Sequence, residues 1–270
     1  MQFDLLIARF PYKGAEHPDT TDWLLKTQAK TLRDPRVGKV IMSKFDDTPI
    51  TMTRNAALRL AKHHKVDYIL MVDSDMSPDL PLEGAKPFWE TSLDFALNHR
   101  HLPCVVGAPY VGPPPFSNVY VFYWANFMND CPNPDYKLEQ YTRHEAEFQS
   151  GIKEVAALPT GLVLIDTRAL EFVEPPYFYY EWKDETESEK ASTEDVTFTR
   201  DLSLAGVPMY CNWDSWAGHW KNYCAIKPMS PQVGQLRQKF SSQVKRELLA
   251  DTKNGEVMVE PDLTGSYVPH

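Results

Sequence analysis

Apolar and polar positions come in blocks along the first 110 residues, and the period of the blocks alternates. Phe3 to Ala8 is a short apolar run, which predicts a strand. A polar loop rich in Pro, Gly and Asp follows. Leu25, Ala29 and Leu32 then fall at i, i+4 and i+7, predicting a helix over about 22–33 that Pro35 stops. "KVIMSKF" predicts a second strand. Ala56, Ala57, Leu60 and Ala61 share one face of a helix expected over 54–64. Tyr68 to Val72 is a third strand, apolar without a break. Trp89, Leu93, Ala96 and Leu97 mark the inward face of a helix over about 87–98, and "PCVVGAPY" is a fourth strand. Strands separated by helices predict an α/β fold, with a mostly parallel central sheet and helices on its faces.

After Gly112 the pattern changes. "VYVFYWANF" and "YKLEQY" are aromatic, strand-like runs separated by the turn-rich "MNDCPNPD", which predicts a small antiparallel insert over about 110–150. "LPTGLVLIDTRAL" returns to a buried strand followed by a short helix. "EWKDETESEKAST" is charged and nearly free of apolar residues, so 181–193 reads as a mobile surface loop. A helix starts near Glu194, with Val196, Phe198, Leu202 and Leu204 available to pack. "VPMYCNWDSWAGHW" is a last strand and loop. The expected organisation is one domain over 1–230, then a helix of about 232–249 and an irregular end within 231–270.

Bulk properties narrow the functional classes. The chain has 270 residues, enough for a substantial core, and a net charge of −9, which disfavours a protein whose main grip is on nucleic-acid phosphates. No apolar run approaches the roughly 20 residues that cross a bilayer. "MQFDLLIARF" lacks the basic start of a signal peptide, so the expected location is the cytoplasm. The four cysteines form no C-x-x-C pair, so a structural zinc is not expected.

The candidate chemistry begins at Asp73-Ser74-Asp75, directly after the third strand. Ligand sites of parallel α/β sheets lie at the carboxyl ends of strands. Two carboxylates one residue apart repel each other, and a cation resolves that repulsion. Oxygen ligands suit Mg²⁺ or Mn²⁺, which complete their shells with water and substrate phosphates. His219, at the expected end of a late strand and among aromatics, offers an imidazole that suits Mn²⁺. Glu194 and Asp195 open a helix, where a carboxylate could act as a general base. Arg54 and Asn55 are expected to open another, where Arg offers paired donors and the helix start adds N–H groups for a phosphate. Four tryptophans, Trp182, Trp213, Trp216 and Trp220, lie late in the chain. Trp182, on the charged loop, is the strongest candidate for a sugar contact.

Taken in order, these features resemble the GT-A class of nucleotide-sugar glycosyltransferases, in particular its family 2-like branch. The features are an R-N-x-A helix, a strand-end D-x-D, "PTGLVLID", an E-D helix start and a late His, and they span about 3–221. The resemblance implies a Rossmann-like GT-A domain that moves a sugar from a nucleotide-diphosphate donor, such as a UDP- or GDP-sugar, to a hydroxyl acceptor. It implies that Ala8 and Arg9 lie at the nucleoside, and that Arg54, Asn55, Ser74 and Lys221 serve the donor. Asp73, Asp75 and His219 would hold Mn²⁺ or Mg²⁺. Asp195, with Glu194 beside it, would be the base of an inverting reaction. Trp182, Thr160 and Gly161 are assigned to the acceptor side. The acceptor itself is left open among glycan, protein, small molecule and modified nucleobase in DNA, and the basic C-terminal helix could contact a partner or a second copy. Three other readings use the same carboxylates: a nucleotidyltransferase, a haloacid-dehalogenase-like phosphatase, and a sugar-binding protein without catalysis.

Overall fold

The computed structural model describes residues 2–12, 14–46, 49–112, 118–125, 138–183, 185–186, 190–221 and 224–226, with side chains through 220. The expected C-terminal helix and the turn-rich centre of the aromatic insert lie outside them.

The central sheet has seven strands. They are β1 (Phe3–Phe10), β2 (Val37–Lys44), β3 (Tyr68–Asp73), β5 (Val105–Gly107), β8 (Ile152–Val155), β9 (Leu162–Asp166) and β12 (Met209–Asn212), in the spatial order β2-β1-β3-β9-β5-β12-β8. β2, β1 and β3 are parallel, as are β5 and β12, while β9 runs antiparallel between β3 and β5 and β8 runs antiparallel at the edge. The fold is thus mixed α/β with a mostly parallel central sheet, as the alternation of strand and helix predicts.

Helices α1 (Pro18–Thr31) and α3 (Phe88–Asn98) pack on one face through Trp23, Leu24, Phe88, Trp89 and Leu93. Helices α2 (Ile50–His64) and α5 (Glu194–Leu204) cover the other through Ala57, Leu58, Ala61, Phe198 and Leu202. The strand run Tyr68 to Val72 is 3% exposed or less throughout, because both of its faces are covered. A small sheet joins β4 (Met76–Ser77), β13 (Gly218–Lys221) and β14 (Cys224–Ile226) in the order β14-β13-β4. The aromatic insert forms the expected antiparallel pair, β6 (Phe122–Trp124) with β7 (Leu138–Gln140), followed by α4 (Arg143–Glu147). α4 opens with a reciprocal Thr142–Glu145 capping box, a signal present in "TRHE".

Three boundaries differ from expectation. α2 begins at Ile50, so Arg54 and Asn55 lie in its second turn and not at its N-terminus. Pro49 starts it, Thr53 Oγ1 donates to the Pro49 carbonyl at 3.3 Å, and Ile50 packs on the core. The charged segment is not wholly loop: β10 (Glu181–Trp182) pairs antiparallel with β11 (Lys190–Ser192). Backbone pairing of this kind needs no apolar face, which is why composition hides it. His219 does not end its strand. It is the second residue of β13, outside the main sheet.

Candidate active site

The carboxyl ends of β1 and β3 lie side by side, with Phe10 opposite Asp73. Because β9 is antiparallel to β3, its leading residues reach the same edge, and the Asp73 N–H donates to the Gly161 carbonyl at 2.8 Å. After Asp73 the chain turns, so Asp73 and Asp75 separate. Asp73 meets Arg54, whose Nη2 lies 2.8 Å from Oδ2 and 3.1 Å from Oδ1. Asp75 meets His219, with Oδ2 3.2 Å from Nε2. The β4–β13 pairing brings about the second meeting. His219 stands opposite Met76, and the Trp220 N–H donates to the Asp75 carbonyl at 2.7 Å.

Arg54 is 3% exposed and lies between the rings of Phe10 and Phe178, 5.8 and 5.6 Å from their centroids. Burial alone would lower its pKa. Asp73, then Glu194, Asp195 and Tyr110, outweigh burial and raise it. The guanidinium is therefore the shared positive centre of four acidic groups from three parts of the chain: Asp73 of β3, Glu194 and Asp195 of α5, and Tyr110 after β5. Its Nε and Nη1 are buried without hydrogen-bond partners in the described structure. Burial raises the Asp73 carboxyl, and Asp75 and Asp195 add to this against the pull of Arg54 and His219. Burial, and then Asp195, push Glu194 up to about 7, opposed by Arg54. Glu194 thus titrates near neutrality, where a carboxylate can exchange protons.

The Asp75–His219 geometry tests whether a divalent cation fits. His219 Nδ1 faces the Val111 carbonyl oxygen at 3.2 Å. A carbonyl only accepts, so Nδ1 carries the hydrogen and Nε2 presents a lone pair toward the Asp75 carboxylate. In that tautomer the imidazole nitrogen and the carboxylate oxygen, 3.2 Å apart, can both point at one cation. A carboxylate oxygen with an imidazole nitrogen suits Mn²⁺, so the residues fit the expected ion. They do not assemble the expected three-ligand set. Among the described residues no group of three or more His, Cys, Asp and Glu could hold a metal, because Asp73 is turned to Arg54.

The other expected residues fall in several places. Ala8 is fully buried in the core beneath α2, and Arg9 is paired with Glu16 through Nε at 3.1 Å. Asn55 holds the backbone of the segment after β9. Its amide donates to the Phe178 carbonyl at 2.7 Å and accepts from the N–H groups of Tyr177 and Phe178 at 3.0 and 3.1 Å. Ser74 accepts from the Tyr12 N–H at 3.3 Å, joining the β1 loop to the site. Thr160 is fully buried, and its Oγ1 has no partner in the described structure. Gly161 is required by packing, since a Cβ there would stand 2.7 Å from Tyr110 Oη and 3.1 Å from Met76 Sδ. One oxygen of Asp195 accepts from Thr193 Oγ1 at 2.6 Å and from the Val196 N–H at 3.0 Å. Trp182 is half-buried on β10, 5.8 Å from Lys190 Nζ. Trp220 stacks on His17 at 4.0 Å, while Trp213 and Trp216 are largely buried. Lys221 ends β13, and its side chain lies outside the described residues.

Two tyrosines belong to the site without having been expected there. Tyr110 is 4% exposed, accepts from the Gly161 N–H at 3.2 Å and packs edge-on to His219. Its phenol is held well above its usual value by burial, Asp195 and Asp73. Tyr180 is pushed up to about 12 by burial and by Glu194. Tyr110 ends the apolar run "PCVVGAPY" as Asp73 ends "YILMVD". The strand-end rule that points to the aspartates applies equally to an aromatic with a polar tip.

No protein-family model matches the chain, and no curated protein matches it by sequence. Among solved structures, A197 from STIV aligns with 17% identity and a TM-score of 0.51, covering 84% of this chain and 91% of its own. That likeness is one of fold. Fainter likenesses extend to GalNAc-T7 with UDP, GalNAc and Mn²⁺ (TM-score 0.44, 11% identity, 85% of this chain and 46% of that one). A UDP-glucose pyrophosphorylase complexed with UDP-glucose aligns at a TM-score of 0.45 with 7% identity, over 90% of this chain and 100% of that one.

Proposed function

We propose that this chain is a glycosyltransferase that moves a sugar from a nucleoside-diphosphate sugar to a hydroxyl acceptor, with inversion at the anomeric carbon. The observation that carries the reading is the Asp75–His219 pair at 3.2 Å, facing a common edge with the Arg54–Asp73–Glu194–Asp195 cluster. Asp75 and His219 would hold Mn²⁺ or Mg²⁺, and the ion would supply positive charge to the departing diphosphate. The residues of the chain divide the remaining work. Arg54 holds Asp73 in place and offsets part of the acidic charge of the inner wall. Asp195, fixed by Thr193 and Val196, takes the proton of the acceptor hydroxyl. Glu194 is half protonated near pH 7, which limits its repulsion of Asp195. Tyr110 and Gly161 set the spacing between the His219 side and the Asp73 side.

The same geometry argues against a haloacid-dehalogenase-like reaction. That chemistry uses the first Asp as a nucleophile, and here Asp73 is held by a buried guanidinium. The nucleotidyltransferase reading gains no specific support, since Arg9, the cation at the end of the first strand, is paired with Glu16.

The deciding measurement is a melting screen of UDP, GDP and their sugars with and without Mn²⁺. A ligand at 100 times its Kd stabilises the fold by about 2.7 kcal/mol. The expected result is a Mn²⁺-dependent shift with one nucleotide that Asp75→Ala removes. A panel without any shift, together with no donor hydrolysis, would overturn the reading.

A further inference from the structure

The Asp75–His219 pair stands on little backbone. β4 has two residues, and its pairing with β13 sets Gly218 opposite Ser77 and His219 opposite Met76. A ladder of that length is not stable by itself. Beyond one end of it, the Leu80 N–H donates to the Trp216 carbonyl at 3.0 Å. At the other end, the Trp220 N–H donates to the Asp75 carbonyl at 2.7 Å. Side chains alternate along a strand, so His219 turns to Asp75 and Trp220 turns away from it. The first turn of α1 lies on the Trp220 side.

Asp19 of that turn reaches both strands with a single oxygen. Its Oδ2 accepts from Ser77 Oγ of β4 and from the Trp220 indole N–H of β13, each at 2.9 Å. His17, the N-cap of α1, supports the same indole. Its Nδ1 accepts from the Asp19 N–H at 3.2 Å, which fixes the ring. The ring lies on Trp220 with centroids 4.0 Å apart and planes 20° from parallel. The turn also grips the stretch that carries Asp75. The His17 N–H donates to the Ser74 carbonyl at 2.8 Å, and Thr20 Oγ1 lies 3.0 and 2.5 Å from the Ser74 and Met76 carbonyl oxygens. The Asp19 side chain is 46% exposed, so replacing it opens no cavity in the core.

We propose that Asp19 and Trp220 are positioning residues, which hold β4 and β13 in the register that turns Asp75 and His219 onto one divalent cation. Neither touches the ion. That the pair takes an ion rests on the reading above, whereas the clamp on the strands does not. If loss of the clamp leaves the paired arrangement populated about one-tenth of the time, the apparent Kd for the ion rises about tenfold.

The test measures Mn²⁺ binding to the full chain by loss of the free-ion EPR signal. Hydrogen exchange of the Trp220 amide is measured without metal. The variants are Asp19→Ala, Asp19→Asn, Trp220→Phe and Asp22→Ala. Asn keeps an oxygen acceptor without the charge, and Phe keeps a ring on His17 without the indole donor. Asp22, 64% exposed and paired with Lys26 on the same helix, reports what the loss of one negative charge does by itself.

The expected result is Mn²⁺ binding weakened about tenfold in Asp19→Ala, and weakened to a smaller extent in Trp220→Phe. Asp19→Asn and Asp22→Ala should stay within about twofold of wild type. The Trp220 amide should exchange about tenfold faster in Asp19→Ala, with the amides of β3 unchanged. Wild-type affinity and exchange in both Asp19→Ala and Trp220→Phe would overturn the proposal. Equal weakening in Asp19→Asn or Asp22→Ala would also overturn it, since charge alone would then account for the effect. If the wild type binds no Mn²⁺, the ion-binding reading falls and the positioning role falls with it. If the wild type binds and the clamp variants match it, the clamp alone falls.

Discussion

At the scale of single residues, the site is governed by one buried cation. Arg54 is nearly inaccessible, whereas the Asp73 side chain keeps 21% of its exposure, so their pairing is strong but not fully dry. Arg54→Met removes the charge and leaves Asp73 facing apolar rings. We expect a loss of about 3 kcal/mol, the lower end of the range for breaking buried pairs, measured as a shift in urea midpoint at unchanged slope. Arg54→Lys retains charge without the planar fork and should fall between the two. Equal stability of wild type and Arg54→Met would refute the account. Glu194 gives a pH-dependent prediction. Its carboxyl rises from 4.5 unfolded to about 7 folded, so the native state binds more protons between those values. Its contribution is therefore complete below about pH 4.5 and lost as pH climbs through 7. Glu194→Gln does not titrate, so its stability relative to wild type should increase across that window. The advantage should level off near pH 8 at about 2 kcal/mol, after discounting for partial exposure and coupling to Asp195. An advantage that is flat from pH 4 to 9 would show that Glu194 is not held at a raised pKa.

At the scale of elements, the site depends on a close approach between the start of β9 and the end of β5. Gly161 lets Tyr110 lie against the backbone, and an added methyl would meet Tyr110 Oη at 2.7 Å and Cζ at 3.0 Å. Tyr110 is buried and cannot swing away. Gly161→Ala should cost about 2 kcal/mol by overpacking. Tyr110→Phe removes the nearest atom, so the double variant should lose less than the sum of the single ones. Strict additivity in that cycle would mean that the two residues do not press on each other. The short β4–β13 pairing has a similar role. It buries little surface, yet it brings His219 to Asp75 across 144 positions of sequence.

At the scale of the whole molecule, charge and topology act together. A net charge of −9 disfavours long-range attraction to polyanions. We expect no measurable affinity for duplex DNA at about 0.15 M salt, and no steep dependence of any weak binding on salt concentration. A salt slope of several units would point to a basic surface that the total charge conceals. Among the described residues no helix is long and apolar enough to cross a membrane. The seven-stranded sheet places Asp73, Tyr110 and Gly161 along one edge because β9 runs against its neighbours, delivering its first residues where the parallel strands deliver their last.

The sequence by itself determined the strand–helix order, the mostly parallel sheet and the strand-end position of Asp73. Those follow from local periodicity and burial, which neighbouring residues report. It also singled out Asp75, His219, Arg54, Glu194 and Asp195 as residues of interest. Only the tertiary structure decided how they combine. Asp73 and Asp75 do not face each other, since the chain turns at Ser74 and each carboxylate takes a different partner. Asn55 is spent on the backbone of 177–178, and Ala8 is spent on the core. Tyr110 enters the site through a glycine fifty-one positions away. Such pairings arise from strand register and from small residues that permit close packing, and neither leaves a periodic trace along the chain.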